Sequence, residues 1–265
     1  MNIMKYCLSS RQIPQELTKA DQIKVEYRDR KIIPDLLEEY EKADIVLEFP
    51  IVKHDDFSWD EILQYNTFAR GRLICCLREG VDTVVCKEKG LNKYYYGYPI
   101  ATAYDAAAFA TLGVCYLVVD APLFFKMDML KDKYGIPVRA AVNVAYRAYV
   151  PRNDGVCGTW IRPEDIEKYE PYVEVVEFEG VDLVKERTLY HIYAENKNWP
   201  GDLKDLILNF NYEGVNRLIL DSLGEMRLNC GQRCFEGKSC QACYKALQLA
   251  NVETMTKVKE ALLKK

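Results

Sequence analysis

Histidine is nearly absent. The 265 residues contain two, His54 and His191, far apart in the chain. A histidine-rich metal site cannot be built from so few, and neither can a reaction with several histidine-based steps. No H-E-x-x-H and no G-x-S-x-G occurs, so the usual zinc-peptidase and serine-hydrolase signatures are missing. No run approaches about eighteen consecutive apolar residues, so no membrane-spanning helix is expected. The first residues, MNIMKYCLSSRQIPQEL, lack a basic stretch followed by a long apolar one, and no signal peptide is expected. The net charge of −4 lacks the basic surplus of a strong nonspecific nucleic-acid binder. Fixed-period repeats, low-complexity stretches and long linkers are missing too. These absences point to the cytoplasm, where thiols stay reduced.

What is present is an alternation of short apolar runs with helical patterns. Strands are expected at 4–10, 22–27, 44–50, 81–87, 114–120, 137–144, 173–179 and 216–222, each rich in Val, Ile or Leu. Helices are expected between them, including one long helix over 58–80 (SWDEILQYNTFARGRLICCLREG). Ser58 and Glu61 form a capping-box pattern at its start. Gly80, Gly113 and Gly135 stand where helices should stop. Pro163, Glu164 and Asp165 suit the first turn of a further helix. Eight strands alternating with helices give an α/β fold, a (β/α)8 TIM-type barrel, as one domain over 1–265. A doubly wound sheet is the alternative, but no Gly-rich phosphate turn follows the first strand. A cysteine-rich segment, 228–247, and the amphipathic helix NVETMTKVKEALLKK come after the last expected strand.

In a barrel, chemistry gathers at the carboxyl ends of the strands. That rim would hold Cys7, Ser9, Arg11, Glu26, Arg28, Glu48, Lys87, Glu88, Asp120, Asn143, Arg147, Glu177, Glu179 and Asp221. Many would be merely solvated. Arg28 and Arg30, in EYRDRK, would suit a phosphate or carboxylate, or an ordinary solvated loop.

Cysteine is concentrated where histidine is scarce. Of ten cysteines, four (Cys230, Cys234, Cys240 and Cys243) fall within fourteen residues, spaced C-x3-C-x5-C-x2-C. Soft thiolates favour zinc or iron–sulfur clusters. The spacing is tight for paired zinc knuckles and differs from the common ferredoxin run, so it points to a metal and leaves its identity open. Cys157 lies in the Gly-containing loop RNDGVCGTWIRPED before a helix start, a setting that lowers a thiol pKa. Cys75, Cys76, Cys86 and Cys115 lie in apolar patterns and read as core.

Three stretches carry a resemblance: YPIATAYDAAAFATLGVCYLVVDAPLFF (98–125), PVRAAVNVAY (137–146) and CGTWIRPEDIEKYEPYVEVVEFEG (157–180). Together they resemble the collagenase-like peptidase family U thirty-two over roughly residues 95–245. The most specific part is Cys157, Trp160, Arg162, Pro163, Glu164 and Asp165, followed by Glu177 to Gly180. The resemblance implies a TIM-type barrel. It also implies an oxygen-independent hydroxylation factor with a cysteine-bound [4Fe–4S] cluster, acting on an RNA base or a quinone-like ring. Cys230 and Cys234 match the family's C-x3-C element, although here the cysteines come after the expected eighth strand.

Three functions are therefore expected in competition. In the first, Cys230, Cys234, Cys240 and Cys243 hold an iron–sulfur cluster, with Cys157 able to replace one. The substrate, a small molecule or RNA, lies near Arg162, Asp120, Asn143 and Glu177. Trp160, Tyr146 and Tyr149 stack on a planar ring or pack beneath loops, and a partner subunit is compatible with this reading. In the second, the same cysteines hold zinc as a staple, and rim residues bind or hydrolyse a substrate. In the third, a peptidase, His54 beside Asp55 and Asp56 would have to serve, and a solvated surface histidine accounts equally for that pattern. His191, among tyrosines in a helical pattern, reads as packed or solvated.

Overall fold

The strand segments are apolar on both faces because each is covered twice, by helices outside and by side chains inside. In DIVLE, Ile45, Val46 and Leu47 are all fully buried. Alternation sends Val46 into the barrel and its neighbours outward to the helices. The computed structural model describes residues 4–100, 102–119, 127–143, 161–194 and 202–207.

Eight strands are present among them: β1 (Lys5–Ser9), β2 (Gln22–Glu26), β3 (Asp44–Glu48), β4 (Leu73–Leu77), β5 (Tyr94–Tyr96), β6 (Leu117–Val118), β7 (Val138–Ala141) and β8 (Val173–Glu177). All pairings are parallel, in the order β5-β4-β3-β2-β1-β8-β7-β6. The seam between β5 and β6 is crossed by a parallel bridge, Ile100 to Val119. Two hydrogen bonds reinforce it, Ile100 N–H to Val118 C=O (2.8 Å) and Cys115 N–H to Tyr94 C=O (2.9 Å). The result is a (β/α)8 TIM-type barrel.

The intervening helices are α1 (Pro14–Leu17), α2 (Ile33–Glu39), α3 (Trp59–Ala69), α4 (Gly80–Glu88), α5 (Ala103–Leu112), α6 (Met127–Tyr134), α7 (Leu183–Ala194) and α8 (Leu203–Leu206). Two 3-10 turns, Tyr27–Ile32 and Pro163–Tyr169, add to them. No helix of the described residues is long and apolar enough to cross a membrane. The strand expected at 216–222 and the helix expected at 251–265 lie outside the described residues.

Two expectations fail between residues 58 and 96. The single long helix over 58–80 is α3 followed by β4. Arg70 takes a left-handed conformation (φ 51°) and Gly71 follows it (φ 86°), so the helix stops and LICCL becomes a fully buried strand. The expected strand at 81–87 is α4. Its valines misled: Val81 and Val84 are exposed, while Asp82, Thr83 and Cys86 are buried. That spacing is helical, and polar contacts fix it. Asp82 takes Lys53 Nζ at 2.6 Å, and the hydroxyls of Thr83 and Tyr96 meet in the core. Gly80 accordingly begins a helix instead of ending one.

Capping chemistry fares better. Gly113 ends α5 at φ 76°, and Thr102 and Asp105 form a full capping box at its start. At α3 only half of the expected box forms. Ser58 Oγ accepts the Glu61 N–H (3.2 Å). The Glu61 carboxylate turns away to Arg30 Nε (2.7 Å) and the Tyr65 hydroxyl (2.6 Å), and the Ser58 N–H donates to Tyr27 Oη (2.7 Å). Ser58→Ala should therefore cost about 1 kcal/mol in urea unfolding, since one cap bond is lost and the rest persists. An unchanged midpoint would show that the cap contributes nothing.

Candidate functional site at the barrel mouth

Alternation along β1, β2, β7 and β8 sends Cys7, Gln22, Lys24, Arg139 and Glu177 into the barrel. Arg139 is fully buried. Its Nε donates to Glu177 Oε2 at 3.0 Å, and Nη2 lies 2.9 Å from the same oxygen. Its Nη1 donates to Gln22 Oε1 (2.5 Å), and the guanidinium lies 4.9 Å from the Tyr95 ring centre. Lys24 Nζ reaches Glu177 Oε2 from the mouth side at 3.1 Å. One carboxylate oxygen thus serves two cations.

The electrostatics follow from this sharing. Burial opposes charge on Glu177, but Arg139 and Lys24 outweigh it and hold the carboxyl at about 2. Burial likewise opposes the Lys24 ammonium, yet Glu177 together with Cys7 and Cys76 offsets it, and its pKa ends above the ordinary lysine value. Lys24 is therefore a fixed cation, not the free amine that Schiff-base chemistry needs. Burial pushes the Cys7 and Cys76 thiols up despite the same cations.

A pH consequence can be read from Glu177. Its folded pKa lies below its ordinary value of 4.5, so the stabilisation is complete above pH 4.5 and is lost as pH falls toward 2. The amount is about 3 kcal/mol. Urea unfolding should weaken steeply below pH 4.5, and Glu177→Gln should flatten that limb. An equally steep limb in the variant would assign it to other carboxylates.

Over this cluster lies a cavity of about 400 Å³, lined by Cys7, Ser9, Arg11, Lys24, Glu26, Glu177 and, from α7, Glu186. Its apolar wall is Leu8, Phe178, Val181 and Leu183. Glu186 is buried and accepts the Ser9 N–H (3.0 Å) and Gln12 Nε2 (2.5 Å). Burial raises its pKa in spite of these donors. The two buried carboxylates of the cavity are thus pushed in opposite directions, one fixed as an anion and the other more readily protonated.

Across the rim, Arg78 pairs with Glu48 and donates to the Gly97 carbonyl (3.1 Å), with Tyr98 stacked at 5.3 Å. Gly97 permits this approach: a Cβ there would sit 2.8 Å from both Arg78 Nη1 and Cys76 Sγ.

Glu177, anticipated as a substrate-binding residue, lies at the centre of the cluster. Asn143 lies at the same strand edge, where its amide clamps the Glu179 backbone, donating to C=O (3.0 Å) and accepting N–H (2.9 Å). Arg162 is brought beside the end of β7 by the Ile161 N–H to Val142 C=O bond (3.0 Å). Its Nε holds Asp165 at 2.6 Å. Asp165 also takes Lys168 Nζ at 2.8 Å, and these two cations overcome burial to lower its pKa.

Asp120, Trp160, Cys157, Cys230, Cys234, Cys240 and Cys243 lie outside the described residues, as do Tyr146, Arg147, Tyr149 and Asp221. Lys24, Arg139 and Glu186 were not singled out in the sequence. The signal for Lys24 and Arg139 was a charged residue set inside an otherwise apolar strand, in QIKVE and VRAA.

Other expectations resolve locally. Arg30 is buried against the Tyr27 ring (4.1 Å) and held by Glu61 and Asp56, so it anchors a turn and is not free to take a ligand. Arg28 is exposed and pairs with Glu26 at 2.7 Å. His54 is exposed, and His191 Nε2 lies 3.3 Å from Glu16 Oε1. Cys7, Cys75, Cys76 and Cys86 are buried, and Cys115 partly so. Among the described residues, no group of three or more His, Cys, Asp or Glu is arranged to hold a metal ion.

Fold and site together define a (β/α)8 barrel protein with an ion-paired carboxylate at its mouth. No family model and no curated protein matches the chain. Among solved structures, the chain is similar to the U32 peptidase Mk0906 at 14% identity, over 69% of this chain and 95% of that one, with a TM-score of 0.42. An overlap that loose adds nothing to the barrel already defined by its strand order.

Proposed function

We propose that this chain is a U thirty-two-like barrel protein that binds a [4Fe–4S] cluster through its late cysteines. It would take part in oxygen-independent modification of an RNA base or quinone-like ring. The observation that carries the reading is how the ten thiols divide. Cys7, Cys75, Cys76 and Cys86 are buried in the barrel and its packing layer, and Cys115 partly so. Burial pushes the pKa of Cys7, Cys76 and Cys115 up, and the hydrogen bond with Cys86, followed by burial, does the same for Cys75. A thiol held protonated is a poor metal ligand. The thiols left for ligation are Cys157, Cys230, Cys234, Cys240 and Cys243, in polar, Gly-containing sequence.

That donor set fits a cubane, which needs four thiolates, with Cys157 as a reserve. When bound, such a cluster supplies one-electron transfer. The chain's own residues would bind and orient the substrate at the mouth, with Lys24 and Glu177 as fixed charges and Glu186 able to hold a proton. The same thiols also fit a closed zinc site, in which case the metal would only staple the segment.

The test is anaerobic incubation of metal-free protein with iron and sulfide, followed by reduction. The proposal expects visible absorption that bleaches on reduction and an electron-spin-resonance signal from the reduced protein. Protein that stays colourless and takes up one zinc would favour the staple.

A further inference from the structure

One donor facing the cavity is left with spare capacity. Each carboxylate around it has donors of its own. Glu26 takes Arg28 (2.7 Å) and Arg11 (3.5 Å), Asp182 takes the Lys185 N–H (2.8 Å), and Glu186 takes Ser9 and Gln12. Arg11 is occupied by Asp29 at 2.8 Å as well as by Glu26. Lys24 differs. Among the described residues its ammonium meets only Glu177 Oε2, an oxygen already taken by Arg139. An ammonium carries three N–H donors, so two remain for the cavity. Beneath it, the buried Arg139 Nη2 has no acceptor in hydrogen-bond geometry. Lys24 and Arg139 thus share one carboxylate oxygen, and a further anionic oxygen on the cavity side would engage the spare N–H donors of Lys24.

We propose that this cavity binds the carboxylate of a small organic acid. A carboxylate oxygen would accept from Lys24 Nζ, and the aliphatic body would lie on Val181 and Leu183. The volume of about 400 Å³ suits a small molecule. A monoanion fits better than phosphate, because only one ammonium is available and Glu26 and Glu186 would repel a second negative charge. The site is the mouth to which the proposed function assigns the substrate, and its lining residues include none of the late cysteines.

The test is fluorine NMR of trifluorobutyrate binding to the full chain, with trifluorobutyramide and inorganic phosphate as comparators. The acid should bind, with the neutral amide at least about tenfold weaker. Lys24→Met should lose at least about tenfold in affinity for the acid. Lys24→Arg should retain it, each variant being checked for a native urea midpoint. Absence of acid binding, equal binding of the amide, or undiminished binding by Lys24→Met would each overturn the proposal. Phosphate binding more tightly than the acid would also overturn it and make the site one for phosphoryl groups. Acid binding by iron-free protein would uphold the site even if the cluster reading fails.

Discussion

Arg139→Met should cost about 3–5 kcal/mol of stability, because it strands a buried carboxylate instead of removing a salt bridge cleanly. Methionine matches the length of the arginine stem and fills most of its space. What it cannot supply is the charge that holds Glu177 ionised. Lys24 would remain as the single cation on Glu177, and Gln22 Oε1 would lose its donor at 2.5 Å. The Glu177 pKa should then rise, moving the acid limb of stability to higher pH. Arg139→Met combined with Glu177→Leu and Lys24→Met should recover much of the loss, since the apolar set leaves no orphaned charge. Urea unfolding of the wild type and these two variants at neutral pH checks this. Equal midpoints for Arg139→Met and the wild type would remove the cluster from the account of stability.

The second large effect concerns the thiols. Cys234→Ala combined with Cys157→Ala should abolish cluster binding, because a cubane deprived of one thiolate of the short segment has only Cys157 to replace it. Cys76→Ala should leave metal content unchanged. That thiol is 2% exposed inside the barrel and held protonated. Its loss should appear as lower stability from the cavity left between Tyr95 and Gly97. If Cys76→Ala loses metal and the Cys157→Ala, Cys234→Ala variant keeps it, the division of thiols proposed above is wrong.

The barrel was legible because strands covered on both faces leave a strong mark. DIVLE, VEVVE and VRAA needed only their apolar content to be recognised. The same rule hid β4 and β5. LICCL follows a well-capped helix without a proline, so it read as the helix continuing, and three tyrosines, Tyr94 to Tyr96, made too short a run to stand out. In VDTVVCK it failed in the opposite direction, because β-branched residues fell on the exposed face of a helix whose buried positions are Asp82, Thr83 and Cys86. The site was only partly legible, for a different reason. Glu177 was found because it ends a strand. Lys24 and Arg139 escaped notice because their importance lies in meeting on one carboxylate oxygen, and they are 115 residues apart. Glu186 gave no local signal at all. Its role comes from α7 laying it against the end of β1, where Ser9 and Gln12 reach it.

The measurement that bears most directly on the account is the iron and zinc content of the full chain purified without oxygen. About four irons per chain, with visible absorption, is the predicted result. One zinc per chain and no colour would contradict it and leave the barrel mouth as the place to seek the chemistry.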